Sequence, residues 1–374
     1  MGDCQVGYNV SIIDSTVGIR EGINIGMKKY LDPNSKLPAG WYIALPTKKL
    51  NQTPVALTLF AQSLIAWRGK KGQAVVSEQY CPHMGASLVQ SKVKAGCLEC
   101  PFHRWIWEDN GVCSHIPGQN YIPQTAKLIT FPTQEKYGYV WVWYGTPQPL
   151  YPLPLFAPAE ENKKHYLTLR FKFNAPTTTR RVLENAYDNR HFIDVHGLPA
   201  DDTTLELKAP GSLLDPEEKY LPGNAQFGGV MSAKIARFVG VAGWIAQKLG
   251  VNAHKFELFI KSFPTGHIID LHLDGKERFS SLVSVSPQSD TITHQHVLFM
   301  VKKAGNPLQN LGCYLLFGIQ TMLSGWQDVP IWKKMQPEIH RVAVKNDSGV
   351  LQYRKFYQSW AEKCESLELL KPAN

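Results

Sequence analysis

The sequence predicts an α+β chain in two parts: a small all-β domain, then a larger domain in which helices cover an antiparallel sheet. Three observations carry this. From Gly40 to about Gly145, short apolar runs alternate with turns, as in GWYIAL, LTLFAQSLIAWRG, QAVVSEQ and YGYVWVWYG. The proline-rich stretch GTPQPLYPLPLFAPAEEN then reads as a linker. From Tyr166 the pattern becomes long alternating strands, YLTLRFKFNAP, HKFELFIKSFP, GHIIDLHLDG, ERFSSLVSVSP and THQHVLFMVKK, with helical segments between and after them. The expected divisions are an N-terminal segment 1–39, a β domain 40–148 and a second domain 149–374. Two helices are expected to matter, one over about Thr178 to Val195 and one over about Asn310 to Lys334.

The 374 residues are long enough for two cores, and 44% apolar with 19% charged residues describes an ordinary globular chain rather than a disordered one. The first residues lack a basic flank followed by an apolar run, and no stretch reaches roughly 18 uncharged apolar residues, so a cytoplasmic protein is expected. Lys and Arg outnumber Asp and Glu by 40 to 31, for a net charge of +9. The excess comes in scattered pairs without interleaved aromatics, which does not call for nucleic acid and suits an acidic protein partner equally well. Seven cysteines, an odd number concentrated in one stretch, fit reduced thiols and a metal site better than a disulfide framework.

That stretch holds Cys81-x-His83 and Cys100-x2-His103, with Cys97 and Cys113 nearby. Structural zinc accepts two Cys and two His, and Cys97-x2-Cys100 is itself a zinc-like pair. Zinc fingers, however, usually pair like with like, whereas each loop here offers one thiolate and one imidazole. A Rieske [2Fe-2S] centre needs that arrangement, since one iron takes two thiolates and the other two imidazoles. CPHMGASL and CPFHRWIW resemble the two cluster loops of Rieske proteins, including the Pro after each Cys and Trp105 after the second His. Cys81, His83, Cys100 and His103 are then the cluster ligands, and Cys97 and Cys113 are small buried hydrophobes. Arg104 departs from the pattern, standing where many family members carry Gly.

A cluster alone passes an electron; ENAYDNRHFIDVH offers it a destination. On a continuous helix Glu184, Asp188 and His191 share one face, and His196 follows where Gly197 ends the helix. Such a His pair is more often a surface or core feature, but downstream of a Rieske cluster it reads as part of a two-His, one-carboxylate iron site. The string resembles the iron motif of Rieske non-haem iron oxygenases. By that resemblance, which covers nearly the whole chain, the larger domain is of helix-grip type and His191 and His196 bind mononuclear Fe(II). Asp188 carries the electron between centres, the short route crosses to a neighbouring subunit of a homotrimer, and a reductase or ferredoxin delivers electrons from NAD(P)H for use with O2. The third ligand is expected among Asp201, Asp202, Asp270, Asp274, Asp290 and Asp328. Asp328, in the helical, aromatic-flanked GWQDVPIWKK, is favoured by its placement and by the family's late helical Asp.

Within the family, CLECPFHRWIW, GYVWVWYG, QDVPIW and QYRKFYQSW look most like the ketosteroid 9α-hydroxylases and cholesterol 7-desaturases, implying a monooxygenase that hydroxylates or desaturates an apolar, sterol-like substrate. Residues 231–250, MSAKIARFVGVAGWIAQKLG, read as an amphipathic helix that either covers a pocket or touches a membrane surface. The alternatives are a demethylase or hydroxylase of a small heteroaromatic or alkaloid-like compound, and a non-catalytic Rieske electron carrier.

Overall fold

A computed structural model describes residues 37–160, 163–210, 212–213, 221–235, 253–303, 305–336 and 342–364. Most of the expected N-terminal segment and most of the expected 231–250 helix lie outside these residues. The described start of that helix is instead strand, Phe227–Lys234. Met231 and Ala233 are buried while Val230, Ser232 and Lys234 are partly or fully exposed, a period of two that the apolar run downstream obscured.

Eleven short strands build the first domain. β1 (Gly40–Pro46), β10 (Thr133–Lys136) and β11 (Tyr139–Tyr144) form one antiparallel sheet in the order β1-β11-β10. β2 (Val55–Leu59), β3 (Gln62–Arg68), β4 (Ala74–Glu78) and β9 (Thr130–Phe131) form a second. The third, β5 (Lys92–Lys94), β6 (Cys97–Glu99), β7 (Ile106–Trp107) and β8 (Cys113–His115), carries the second Cys-x2-His loop between β6 and β7.

The larger domain is one seven-stranded antiparallel sheet made of β12 (Tyr166–Ala175), β13 (Thr203–Lys208), β14 (Phe227–Lys234), β15 (Lys255–Phe263), β16 (Gly266–Leu273), β17 (Lys276–Ser289) and β18 (Ile292–Lys302). Its order, β12-β18-β17-β16-β15-β14-β13, places the first strand beside the last. After the short α1 (Ala157–Glu160), the α-helices among the described residues are α2 (Thr179–Glu184), α3 (His191–Asp194), α4 (Pro307–Lys334) and α5 (Ser348–Ala361). Asn306 caps α4 by accepting the Gln309 N–H at 2.9 Å, and Pro307 opens it. Among the described residues no helix is long and apolar enough to cross a membrane.

Alternation along the strands gives the sheet two apolar faces. One, with Phe173, Val285, Val297 and Phe299, packs under the helices. The other, with Ile268, Leu282, Leu298 and Met300, meets Trp41, Trp141 and Trp143 of the first domain. The linker is part of that second core: Tyr151, Leu153 and Phe156 are buried in it, and the Tyr151 carbonyl accepts the Trp41 indole N–H at 2.9 Å. Apolar spacing within the proline-rich stretch made it a strap along the seam.

Candidate active site and metal centres

The expected helix over 178–195 is broken. α2 ends at Glu184, one 3-10 turn covers Asn185–Tyr187, and Asp188 is extended at φ −86°, ψ 91° before α3 begins. Local polar side chains compete with the helix here. The Asp188 carboxylate accepts the His191 backbone N–H at 3.3 Å, while Asn189 donates to the Thr203 carbonyl at 2.9 Å. Glu184 and Asp188 therefore do not share a face with His191. Glu184 turns inward to Arg181 at 2.9 Å and to Arg354 of α5 at 2.6 and 2.8 Å, tying the motif to the C-terminal helix. Gly197, at φ +67°, ends α3 as expected, with its N–H on the Ile193 carbonyl.

The break aims the donors. His191, His196 and Asp328 bring their ligand atoms within 4.8 Å of one another, the one such set of three among the described residues. The His191 Nδ1–H donates to the Asp188 main-chain carbonyl, and the His196 Nδ1–H to Gln327 Oε1 at 3.0 Å. Both rings are thereby held in the tautomer whose Nε2 lone pair faces the other donors of the set. Asn185 Nδ2 donates to Asp328 Oδ2 at 3.1 Å and lies 3.3 Å from His191 Nε2. Burial lowers His191 to about 4, against its bond to the Asp188 carbonyl, and lowers His196 as well. Burial also pushes the Asp328 carboxyl up to about 7; the Asn185 bond pulls it back and the Asp188 charge adds to the rise. A carboxylate that resists ionisation beside two neutral imidazoles describes a hole shaped for a cation. Three of the other candidate carboxylates are engaged elsewhere, Asp270 with Lys261 at 3.0 Å, Asp274 with the backbone N–H groups of His254 and Lys255, and Asp202 with that of Thr203, and neither Asp201 nor Asp290 joins the His pair.

In the β domain Cys81 and Cys100 are buried side by side, and the His83 and His103 rings lie 4.8 Å apart, with His83 stacked on Trp105 at 4.2 Å. The donors pair across the two loops, thiol beside thiol and ring beside ring, as the two irons of a Rieske cluster would use them. Burial pushes the Cys81 thiol up to about 11, opposed first by the His83 backbone N–H. Cys97 and Cys113 turn their thiols to carbonyls of their own hairpins, Ala95 and His115. Arg104 adopts φ +60°, the left-handed conformation that Gly would take freely, and pairs with Glu99 at 2.8 Å.

Residues 40–131 match the Rieske [2Fe-2S] domain. Aminopyrrolnitrin oxygenase PrnD of Pseudomonas fluorescens is 36% identical over 342 residues, covering 90% of this chain and 94% of that protein. A probable 3-ketosteroid-9-alpha-monooxygenase, oxygenase component, of Rhodococcus rhodochrous is 25% identical, covering 90% and 82%. The chain belongs to the Rieske non-haem iron oxygenases. The fold of this Rieske oxygenase is that of Pseudomonas putida CBB5 NdmA with caffeine, at a TM-score of 0.65 and 19% identity over 91% of this chain and 96% of that one.

Membership implies a Rieske cluster and a mononuclear iron in the oxygenase, and the residues present fit both. At the first, buried thiols and an unbonded indole N–H surround the cluster position; at the second, a buried carboxylate and two correctly tautomeric imidazoles surround an iron position. Sequence reasoning missed Asn185 and Gln327. Each neighbours a residue already singled out, Glu184 and Asp328, and each is an amide able to donate or accept where a metal ligand needs orienting.

Proposed function

We propose that the oxygenase holds its cluster with Cys81, His83, Cys100 and His103 and its iron with His191, His196 and Asp328. It uses O2 and electrons that begin on NAD(P)H to oxidise an apolar ring compound. The observation that carries this is the convergence of the three donors with both Nδ1 positions already bonded away. When bound, the iron supplies open positions for O2 activation beside substrate. The chain's own contribution is orientation: Gln327 and the Asp188 carbonyl lock the rings, and Asn185 steers Asp328.

Asp188 is the proposed electron bridge. One carboxylate oxygen accepts the His191 N–H, and the other has no hydrogen bond among the described residues, leaving an acceptor for an imidazole N–H from a neighbouring subunit. The cluster edge supports such a trimer contact, or the docking of a reductase or ferredoxin. His83 is exposed there, flanked by Met84 at 66% and Phe102 at 59% exposure.

Metal analysis of anaerobically purified protein tests the reading. About three irons per chain fit the oxygenase, two an electron carrier. For substrate, a sterol-like compound follows the subfamily motifs and the ketosteroid and cholesterol relatives. A small heteroaromatic is the second reading, favoured by the higher identity to the aminopyrrolnitrin oxygenase, 36% against 25% for the ketosteroid relative at the same 90% coverage of this chain. Parallel turnover of sterols and polar heteroaromatics separates the two.

A further inference from the structure

Six tryptophans are fully buried, Trp41, Trp67, Trp107, Trp141, Trp143 and Trp360. Five donate their indole N–H to an oxygen: Trp41 to Tyr151, Trp67 to Gly96, Trp141 to Lys136, Trp143 to Thr146 and Trp360 to Asn224. Trp107 alone has a buried Nε1 with no partner. An orphaned buried donor costs about 1–3 kcal/mol, so an exception of this kind needs a reason. Trp107 sits in one core with Cys81 and Cys100, on the strand that follows the second cluster loop. Its N–H approaches the Cys81 sulfur of that core without closing a hydrogen bond. A neutral thiol is a weak acceptor, whereas a metal-bound thiolate is a strong one.

We propose that Trp107 is a tuning residue of the Rieske centre, its indole N–H reserved for the Cys81 sulfur once the cluster is bound. This rests on Cys81 being a cluster ligand. One-electron reduction places added negative charge on the cluster and its sulfurs, and a hydrogen bond to sulfur stabilises that reduced form and raises the potential. Trp107 thereby helps set how readily the centre accepts an electron from its donor, without touching substrate or iron.

The test is potentiometric titration of full-length, cluster-loaded protein followed by EPR. Trp107→Phe keeps an aromatic ring and removes the donor. The expected result is a roughly tenfold lower reduced-to-oxidised ratio at fixed poise, about 59 mV for a one-electron couple. Trp107→Tyr, which returns a hydroxyl donor, should recover part of the shift. A purely structural role would lower Tm in both variants and leave the midpoint unmoved, and an unmoved midpoint in Trp107→Phe overturns the proposal. Should Trp107→Phe not load a cluster, wild-type protein labelled with indole-15N tryptophan decides. Pulsed EPR of the reduced centre is expected to show a 15N coupling that persists in Trp105→Phe, and its absence rejects the bond. Failure of the underlying ligand reading looks different, because Cys81→Ala would then retain the Rieske signal.

Discussion

The four cluster donors of the β domain lie on two loops close in sequence, each braced within itself. Gly85 N–H bonds the Cys81 carbonyl and Cys100 N–H bonds that of Trp105. The donors of the larger domain come together only after the chain has crossed a seven-stranded sheet, and the bonds that orient them, Asn185 to Asp328 and His196 to Gln327, span 143 and 131 positions. One centre is a local motif that a small domain can hold. The other is a product of docking α4 against β12 and the broken α2–α3 segment, and everything that loosens that docking reaches the proposed iron ligands.

The largest effect expected from this contrast is its asymmetry. Asp328→Ala should lose the mononuclear iron and product formation together while the Rieske spectrum survives. His83→Cys should spare the iron and lower the cluster potential from the Rieske range of about −150 to +300 mV towards the ~−400 mV of all-Cys centres. Iron analysis with EPR on both variants checks it, and loss of both signals in either one would mean that the centres are not independent.

Next in size is Asp188→Asn, which retains shape but loses charge. Both metals and a normal rate of cluster reduction should remain, while single-turnover oxidation of pre-reduced cluster with substrate and O2 becomes very slow. Wild-type transfer would remove Asp188 from the path. Gln327→Ala should act more mildly, freeing the His196 ring and weakening iron affinity by about 10–100-fold. A chelator titration reads this, with the Rieske spectrum as internal control.

The same contrast explains what the sequence disclosed. Cys81, His83, Cys100 and His103 stood out because the proposed ligands and their neighbours are contiguous, and the long strands because alternation is local. His191 and His196 were visible as a pair, but the helix carrying them was not visibly broken. The signal lay in Asp188-Asn189, two residues that bond local and distant backbone in preference to continuing a helix. Asn185 and Gln327 act across the fold, and no spacing rule announces a partner more than a hundred residues away. The first four residues of the 231–250 segment show the opposite error, where helical amphipathicity was read into a strand paired along its whole length.

Docking also leaves a pH signature in the larger domain. His267, buried on β16, donates from Nε2 to the Leu183 carbonyl at 2.9 Å and accepts at Nδ1 from Ser262 at 2.6 Å, which in turn takes the Tyr187 hydroxyl at 2.5 Å. This chain of bonds pins both sides of Asn185 to the sheet. Burial holds His267 at about 4, below its ordinary 6.5, so the folded state refuses a proton that the unfolded chain accepts. Its contribution is complete above pH 6.5 and is lost as pH falls towards 4, at up to about 1.4 kcal/mol per unit. Denaturant melts across that window should be less pH-dependent in His267→Leu by up to one proton. His294 and His296, also lowered by burial, keep a residual slope of the same sign.

The smallest effect belongs to the local centre and sharpens the claim that it is self-braced. Arg104 holds a left-handed backbone between His103 and Trp105, a conformation costing a non-glycine residue about 1–2 kcal/mol. Its ion pair with Glu99 is screened by solvent, so it offsets the strain only in part. Arg104→Gly removes both terms, and the net gain should be within about 1 kcal/mol, with the ligand set untouched. Thermal melts should show a small rise, or no change, and the EPR spectrum should keep its shape. A clear fall in Tm or a distorted spectrum would mean that the Arg104 side chain, rather than the loop's own backbone bonds, holds His103 in place.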